Sequence, residues 1–137
     1  MDRRDFQRLS GIRLREAKSL LKLRLTDGAY YLAGYSVECA LKACISKRTR
    51  RHDFPDKKRA EASHTHNLLQ LVNESGLKRT IAVLANDDPE FRKNWDLVQL
   101  WSEQSRYEAH SAERAKAFLT AVGDRKHGIL ACIKQHW

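Results

Sequence analysis

Apolar residues recur along most of this chain at steps of three and four, the period of a helix with one buried face, and nowhere in sustained alternation. Over residues 8–25, Leu9, Ile12, Leu14, Ala17, Leu20, Leu21 and Leu25 keep that step with basic residues between them, which predicts an amphipathic helix with a basic outer face. Thr26 or Asp27 is placed to cap the helix that follows. Residues 28–47 carry the densest apolar signal: Tyr30, Gly34, Val37, Leu41 and Ile45 share one face, and Ala33, Ala40 and Cys44 widen it. A helix apolar over so much of its girth belongs at the centre of a bundle, and its small residues Ala33, Gly34 and Ala40 let a neighbour come close.

Residues 48–63 show no helical apolar period, and with Pro55 they read as a charged loop. Thr65 or His66 then opens a short helix over 66–75 that ends at Gly76, and a second short helix covers about 77–85. Asp88-Pro89 reads as an N-cap followed by proline at the first helical position, opening a helix over 90–104 with Phe91, Trp95, Val98 and Trp101 or Leu100 on one side. Residues 105–110 look like a junction. Ser111 is the expected cap of a last long helix over 111–135, loosened at Gly123 or Gly128.

Length and composition narrow this to one domain. A chain of 137 residues with 42% hydrophobic residues, 6 Gly and 2 Pro can bury a core without a metal or disulfide staple, and it excludes collagen-like, low-complexity and disordered classes. The three cysteines, Cys39, Cys44 and Cys132, form no CxxC pair, and the apolar flanks of Cys39 and Cys44 read as reduced, mostly buried thiols of a cytoplasmic protein. The first ten residues lack the apolar run of a signal peptide, and no stretch approaches the length of a membrane span.

The net charge of +9 is unevenly placed. Residues 1–24 hold eight Lys/Arg against three acids, residues 47–59 hold seven against two, and residues 86–110 reverse the sign with six acids against three bases. Such a field attracts phosphate polymers, and it serves equally as a solubility surface or as a charge pattern between subunits. The basic residues singled out for nucleic acid or nucleotide are Arg48, Arg50, Arg51, Lys57, Lys58 and Arg59.

Several polar residues stand out from this pattern. Glu38 sits inside the most apolar helix, so it must be paired or reach an edge, with a base of the first helix or Arg106 as partner; it either orients two helices or lines a pocket, together with Tyr35, His66 and Tyr107. His64 and His66 do not define a metal site by themselves, because a third ligand would have to come from His52 or Asp53; no metal and no cofactor is expected. Arg106 and His110 are four apart and share a face if the segment is helical. An arginine can hold a phosphate through two donors and a histidine can carry a proton near neutral pH, which is the equipment for metal-independent phosphodiester transfer from a ribose 2′-hydroxyl. The plainer reading is a helix-junction pair with Arg106 on Glu38 or Glu103 and His110 at the surface. Glycine-rich phosphate loops, nucleophile elbows and zinc-deaminase spacings are absent.

The run from Ala29 to Ala43, AYYLAGYSVECALKA, resembles the signature helix of HEPN-domain proteins, the higher-eukaryote and prokaryote nucleotide-binding domain. His66-Asn67-Leu68-Leu69-Gln70-Leu71 and Arg106-Tyr107 ahead of an alanine-rich helix extend the likeness over about residues 9–122. The resemblance implies an all-α, up-and-down four-helix bundle with a short helical insertion, one domain over residues 1–137, forming a cytoplasmic homodimer. It also implies RNA or nucleotide binding, with Arg106 and His110 as catalytic residues of a metal-independent endoribonuclease from a toxin–antitoxin or defence system. The alternative it implies is a non-catalytic module that pairs with a minimal nucleotidyltransferase. Catalytic members of that family separate Arg and His by four to six residues; here three intervene.

Overall fold

A computed structural model describes residues 1–49 and 57–137, without the side chains of residues 57–59. All regular structure among these residues is helical: α1 (Arg3–Lys22), α2 (Thr26–Thr49), α3 (Lys57–Ser63), α4 (Leu68–Ser75), α5 (Lys78–Asp87), α6 (Pro89–Val98), a 3₁₀ turn over Glu103–Tyr107, α7 (Ala112–Gly123) and α8 (Ile129–Lys134). No helix among them is long and apolar enough to cross a membrane.

The central position expected for residues 28–47 is where α2 lies. It packs against α1, α4, α7, α8 and the 3₁₀ turn. Tyr30, Gly34, Val37, Leu41 and Ile45 are buried, and so are Ala33, Ala40 and Cys44 on the flank. α1 forms the most extensive contact with it, and two buried serines fasten the pair: Ser10 Oγ donates to the Ser36 carbonyl at 2.9 Å, and Ser36 Oγ to the Ser10 carbonyl at 2.8 Å. Small side chains at the crossing satisfy their hydroxyls on the facing backbone, so close packing leaves no polar group stranded there. Gly34 takes the indole of Trp101 directly against its Cα, where a methyl group would overlap the ring.

Local chemistry sets the ends of the helices. Asp88 accepts from the N–H groups of Glu90 and Phe91 with Pro89 in the first turn, Ser111 accepts from Arg114 N, and Gly76 closes α4 in the left-handed region at φ 78°, all at the positions expected. Elsewhere the boundaries move. α1 starts at Arg3, not at residue 8, because Asp2 and Asp5 form a reciprocal capping box ahead of the first periodic apolar residue. The cap of α4 is Asn67, not Thr65 or His66. Thr26 and Asp27 do not cap α2 through their side chains; they hold the backbone of His110.

Two helices expected to be continuous are broken. α6 stops at Val98, and the segment up to residue 104 turns so that Trp101 re-enters the core and Ser102 opens the 3₁₀ turn with its own capping box to Ser105. The last helix divides between Gly123 and Ile129, where Asp124 Oδ2 accepts from the N–H groups of Lys126 and His127 and draws the chain out of α geometry. Within the segment expected to be a loop, α2 runs on to Thr49 and α3 forms over Lys57–Ser63, a helix whose sequence of Lys, Arg, Ala and Glu has high propensity and no apolar face for a periodicity to report.

Candidate functional site

Glu38 of α2, His66 ahead of α4 and Glu103 of the 3₁₀ turn converge at one place. Glu38 is buried, 1% exposed, as its position in an apolar helix required. Its partners are neither Arg106 nor a base of α1. Oε1 accepts from Lys42 Nζ at 3.0 Å, one turn along the same helix, and lies 2.9 Å from His66 Nδ1 at the entrance to α4. The other ring nitrogen of His66 is 3.6 Å from a carboxylate oxygen of Glu103, so the imidazole stands between two acids. Glu38 Oε2 is buried and has no hydrogen-bond partner among the described residues; the same holds for the indole N–H of Trp101, which lies over Gly34 one turn away on α2. An unmatched acceptor and an unmatched donor thus flank one strip of the central helix, beside a histidine whose side chain is 45% exposed.

Arg106 and Tyr107 follow Glu103 in the same 3₁₀ turn. Both are exposed, Tyr107 by 75%, and the guanidinium carbon lies 5.0 Å from the Tyr107 ring centroid. No carboxylate pairs with Arg106 among the described residues. Tyr35 is half-buried on α2, 6.2 Å from the Tyr31 ring and 5.9 Å from the Arg13 guanidinium, and desolvation raises its phenol above the ordinary tyrosine value.

Arg106 and His110 do not share a helical face. The segment is a 3₁₀ turn that ends at Tyr107 and gives way to extended backbone at Glu108. His110 is not at the surface: the residue is 4% exposed and its ring is stacked on Tyr30, centroids 3.8 Å apart and planes 12° from parallel. Its Nε2 donates to the Ser105 carbonyl at 3.2 Å, its backbone N–H donates to Asp27 Oδ1 at 2.7 Å, and its carbonyl accepts from Thr26 Oγ1 at 2.6 Å. Nδ1 is buried without a partner among the described residues. These contacts make His110 the peg that fastens the 3₁₀ segment to the start of α2.

Of the basic residues named for polyanion contact, Arg48 is exposed and donates to the Glu74 carbonyl at 2.9 Å. Arg50 and Arg51, the side chains of Lys57, Lys58 and Arg59, and the histidine and aspartate at positions 52 and 53 lie outside the described residues. Among the described residues no group of three His, Cys, Asp or Glu side chains is placed to hold a metal ion. Sequence reasoning missed Lys42, and it set Glu103 against Arg106, not against His66. The i, i+4 step from Glu38 to Lys42 was available as a signal; Glu103 depends on a turn that only the tertiary fold creates. Set beside models of protein families, curated proteins and solved structures, the chain matches none of them.

Proposed function

We propose that this chain is an HEPN-like helical bundle that binds RNA or nucleotide at the exposed pair Arg106 and Tyr107, with the basic residues of the sequence run from Arg48 to Arg59 as further contacts. The observation that carries this reading is the exposed guanidinium of Arg106 against the exposed ring of Tyr107. A cation free to take a phosphate beside an aromatic face free to take a base matches the two contacts a nucleotide offers. The net charge of +9 adds a long-range attraction for the same ligand.

Metal-independent cleavage asks more of the site. Arg106 would clamp the scissile phosphate, and His110 would move a proton at the 2′-hydroxyl or the leaving 5′-oxygen. With its ring on Tyr30 and its Nε2 on Ser105, His110 reaches a ribose only if the 3₁₀ segment opens. That burial favours binding over turnover, and it favours the second reading, a non-catalytic module that pairs with a minimal nucleotidyltransferase. A two-fold homodimer is part of the proposal. Trp95 and Trp101 are buried within one chain at 9% and 3%, so a large apolar side chain left for a partner copy to cover is Leu100, 68% exposed.

The test is fluorescence anisotropy with a labelled RNA, titrated in salt. If four to six phosphates are neutralised, the log–log slope is roughly −3 to −5, and Arg106→Gln with Tyr107→Ala weakens binding. Absence of binding at about 50 mM salt, or a flat salt response, overturns the reading in favour of the protein-partner module. Incubation of mixed RNA in EDTA with wild type, Arg106→Ala and His110→Ala separates binding from cleavage. Ends carrying a 2′,3′-cyclic phosphate that both substitutions abolish establish the nuclease; intact RNA establishes binding alone. Light scattering reports a mass twice that of one chain if the dimer forms.

A further inference from the structure

We infer that the outer face of α1 is a second nucleic-acid contact, a straight cationic row built to lie along a phosphodiester backbone. This rests on the RNA-binding reading above, and it adds a site to which neither Arg106 nor Tyr107 contributes.

At 100° per residue, Arg4, Arg8, Arg15, Lys18 and Lys22 fall within an arc of about 80° on α1. All five are exposed, and none is in an ion pair among the described residues. The acids of the helix are spent elsewhere: Asp5 caps the N-terminus and Glu16 is held by Arg13 at 2.8 Å. The row runs about 27 Å from Arg4 to Lys22. A single nucleotide is far shorter than that, so the spacing selects a polymer. Because the opposite face of α1 is taken up by α2, the helix has no apolar face free to enter a lipid surface.

Two residues contradict local preference, Gly11 within this helix and Arg24 just beyond its end. Gly11 falls within the same arc, in mid-helix, where glycine is the poorest choice after proline. Nothing in the fold demands it: a Cβ there would meet no atom within 4 Å. A glycine with open space above it is what the close approach of an external backbone requires. Just past Lys22, the chain turns through a left-handed residue that glycine usually fills; here it is Arg24, at φ 60°, with Arg24 N–H donating to the Leu21 carbonyl and Leu25 N–H to the Leu20 carbonyl. The chain has an arginine where the backbone prefers glycine and a glycine where it prefers a side chain, and both exchanges serve a cationic track with a clear centre.

The experiment measures binding of the full chain to a labelled 20-nucleotide RNA, the same sequence as DNA, a mononucleotide and phosphatidylserine vesicles. Arg8→Gln with Arg15→Gln should weaken RNA binding about tenfold and make the salt slope shallower by about 1.4, the loss of two phosphate contacts. Gly11→Leu should weaken binding at least threefold without lowering the melting temperature, a split that a purely structural glycine would not produce. Arg79→Gln with Lys93→Gln, equal in charge but on α5 and α6, should stay within about threefold of wild type. DNA bound through the same residues identifies the contact as backbone recognition. If wild type binds RNA and the α1 variants bind equally well, this inference falls and the Arg106 reading stands. If the α5–α6 control weakens binding as much, or if a mononucleotide or the vesicles bind as tightly as RNA, the row is not the contact. If wild type binds no nucleic acid, both readings fall.

Discussion

His110 lies flat on Tyr30, ring centroids 3.8 Å apart, and Tyr30 in turn packs on Phe118 at 4.1 Å, so one stack joins the 3₁₀ segment, α2 and α7. The residue whose side chain best suits proton transfer is also the most enclosed of the described histidines. Replacing it tests what that enclosure is for. His110→Ala removes the stack and leaves a void against Tyr30, with an expected loss of about 2–4 kcal/mol in urea denaturation. His110→Phe keeps the stack and gives up only the bond to the Ser105 carbonyl, for about 1 kcal/mol. Equal loss in both variants would mean that the hydrogen bond, not the stacking, holds the junction.

Glu38 is the best-buried acid among the described residues, and its pairing with Lys42 is the reason it can be. Glu38→Ala leaves the Lys42 ammonium, itself mostly covered, without its partner and should cost about 2–4 kcal/mol. Glu38→Ala combined with Lys42→Met should recover part of that loss, because the stranded charge goes as well. A double variant no more stable than the single one would place the energy in His66 instead.

Asp88 and His127 make a pH-dependent clasp between the start of α6 and the turn before α8, Nδ1 to Oδ2 at 2.7 Å. The hydrogen bond that His127 donates to Asp88 is the chief cause holding His127 above the ordinary histidine value and Asp88 below the ordinary carboxyl value. The histidine contribution is complete below about pH 6.5 and fades as the pH rises through its raised value; the aspartate contribution is complete above about pH 4 and fades as the pH falls through its lowered value. Between those limits the clasp is fully formed. The melting-temperature gap between wild type and His127→Ala should be widest near pH 5–6 and narrow by about pH 8.5. A gap that stays constant over that range would assign the loss to packing alone.

Burial silences the thiols. Desolvation is the main cause that pushes Cys39 up to about 12 and Cys44 up to about 11, and it raises Cys132 as well. The thiolate is the reactive form, so native protein at pH 8 should react slowly with a disulfide reagent, while denatured protein should release all three thiols. Fast reaction of one thiol in the native state would reveal local opening of α2 or α8.

What could be read from the sequence was whatever depends on neighbours along the chain. The three- and four-residue step located α2 and its buried face, because a central helix must be apolar nearly all round. Asp88-Pro89, Ser111 and Gly76 were legible as caps because capping is a contact between residues two to four apart. The burial of Glu38 followed from its apolar neighbours, though not its partner across the bundle in His66. The tertiary structure alone decided the rest. Whether Arg106 and His110 face the same ligand depends on a turn made by Ser102 and Ser105, and on Tyr30, some 80 positions earlier in the chain, offering its ring to the imidazole. Thr26 and Asp27 read as helix caps until the fold brought the His110 backbone within reach of both. Periodicity records which face of a helix avoids water, but it carries no information about which polar groups meet once those faces are packed, and the candidate site is made of such meetings.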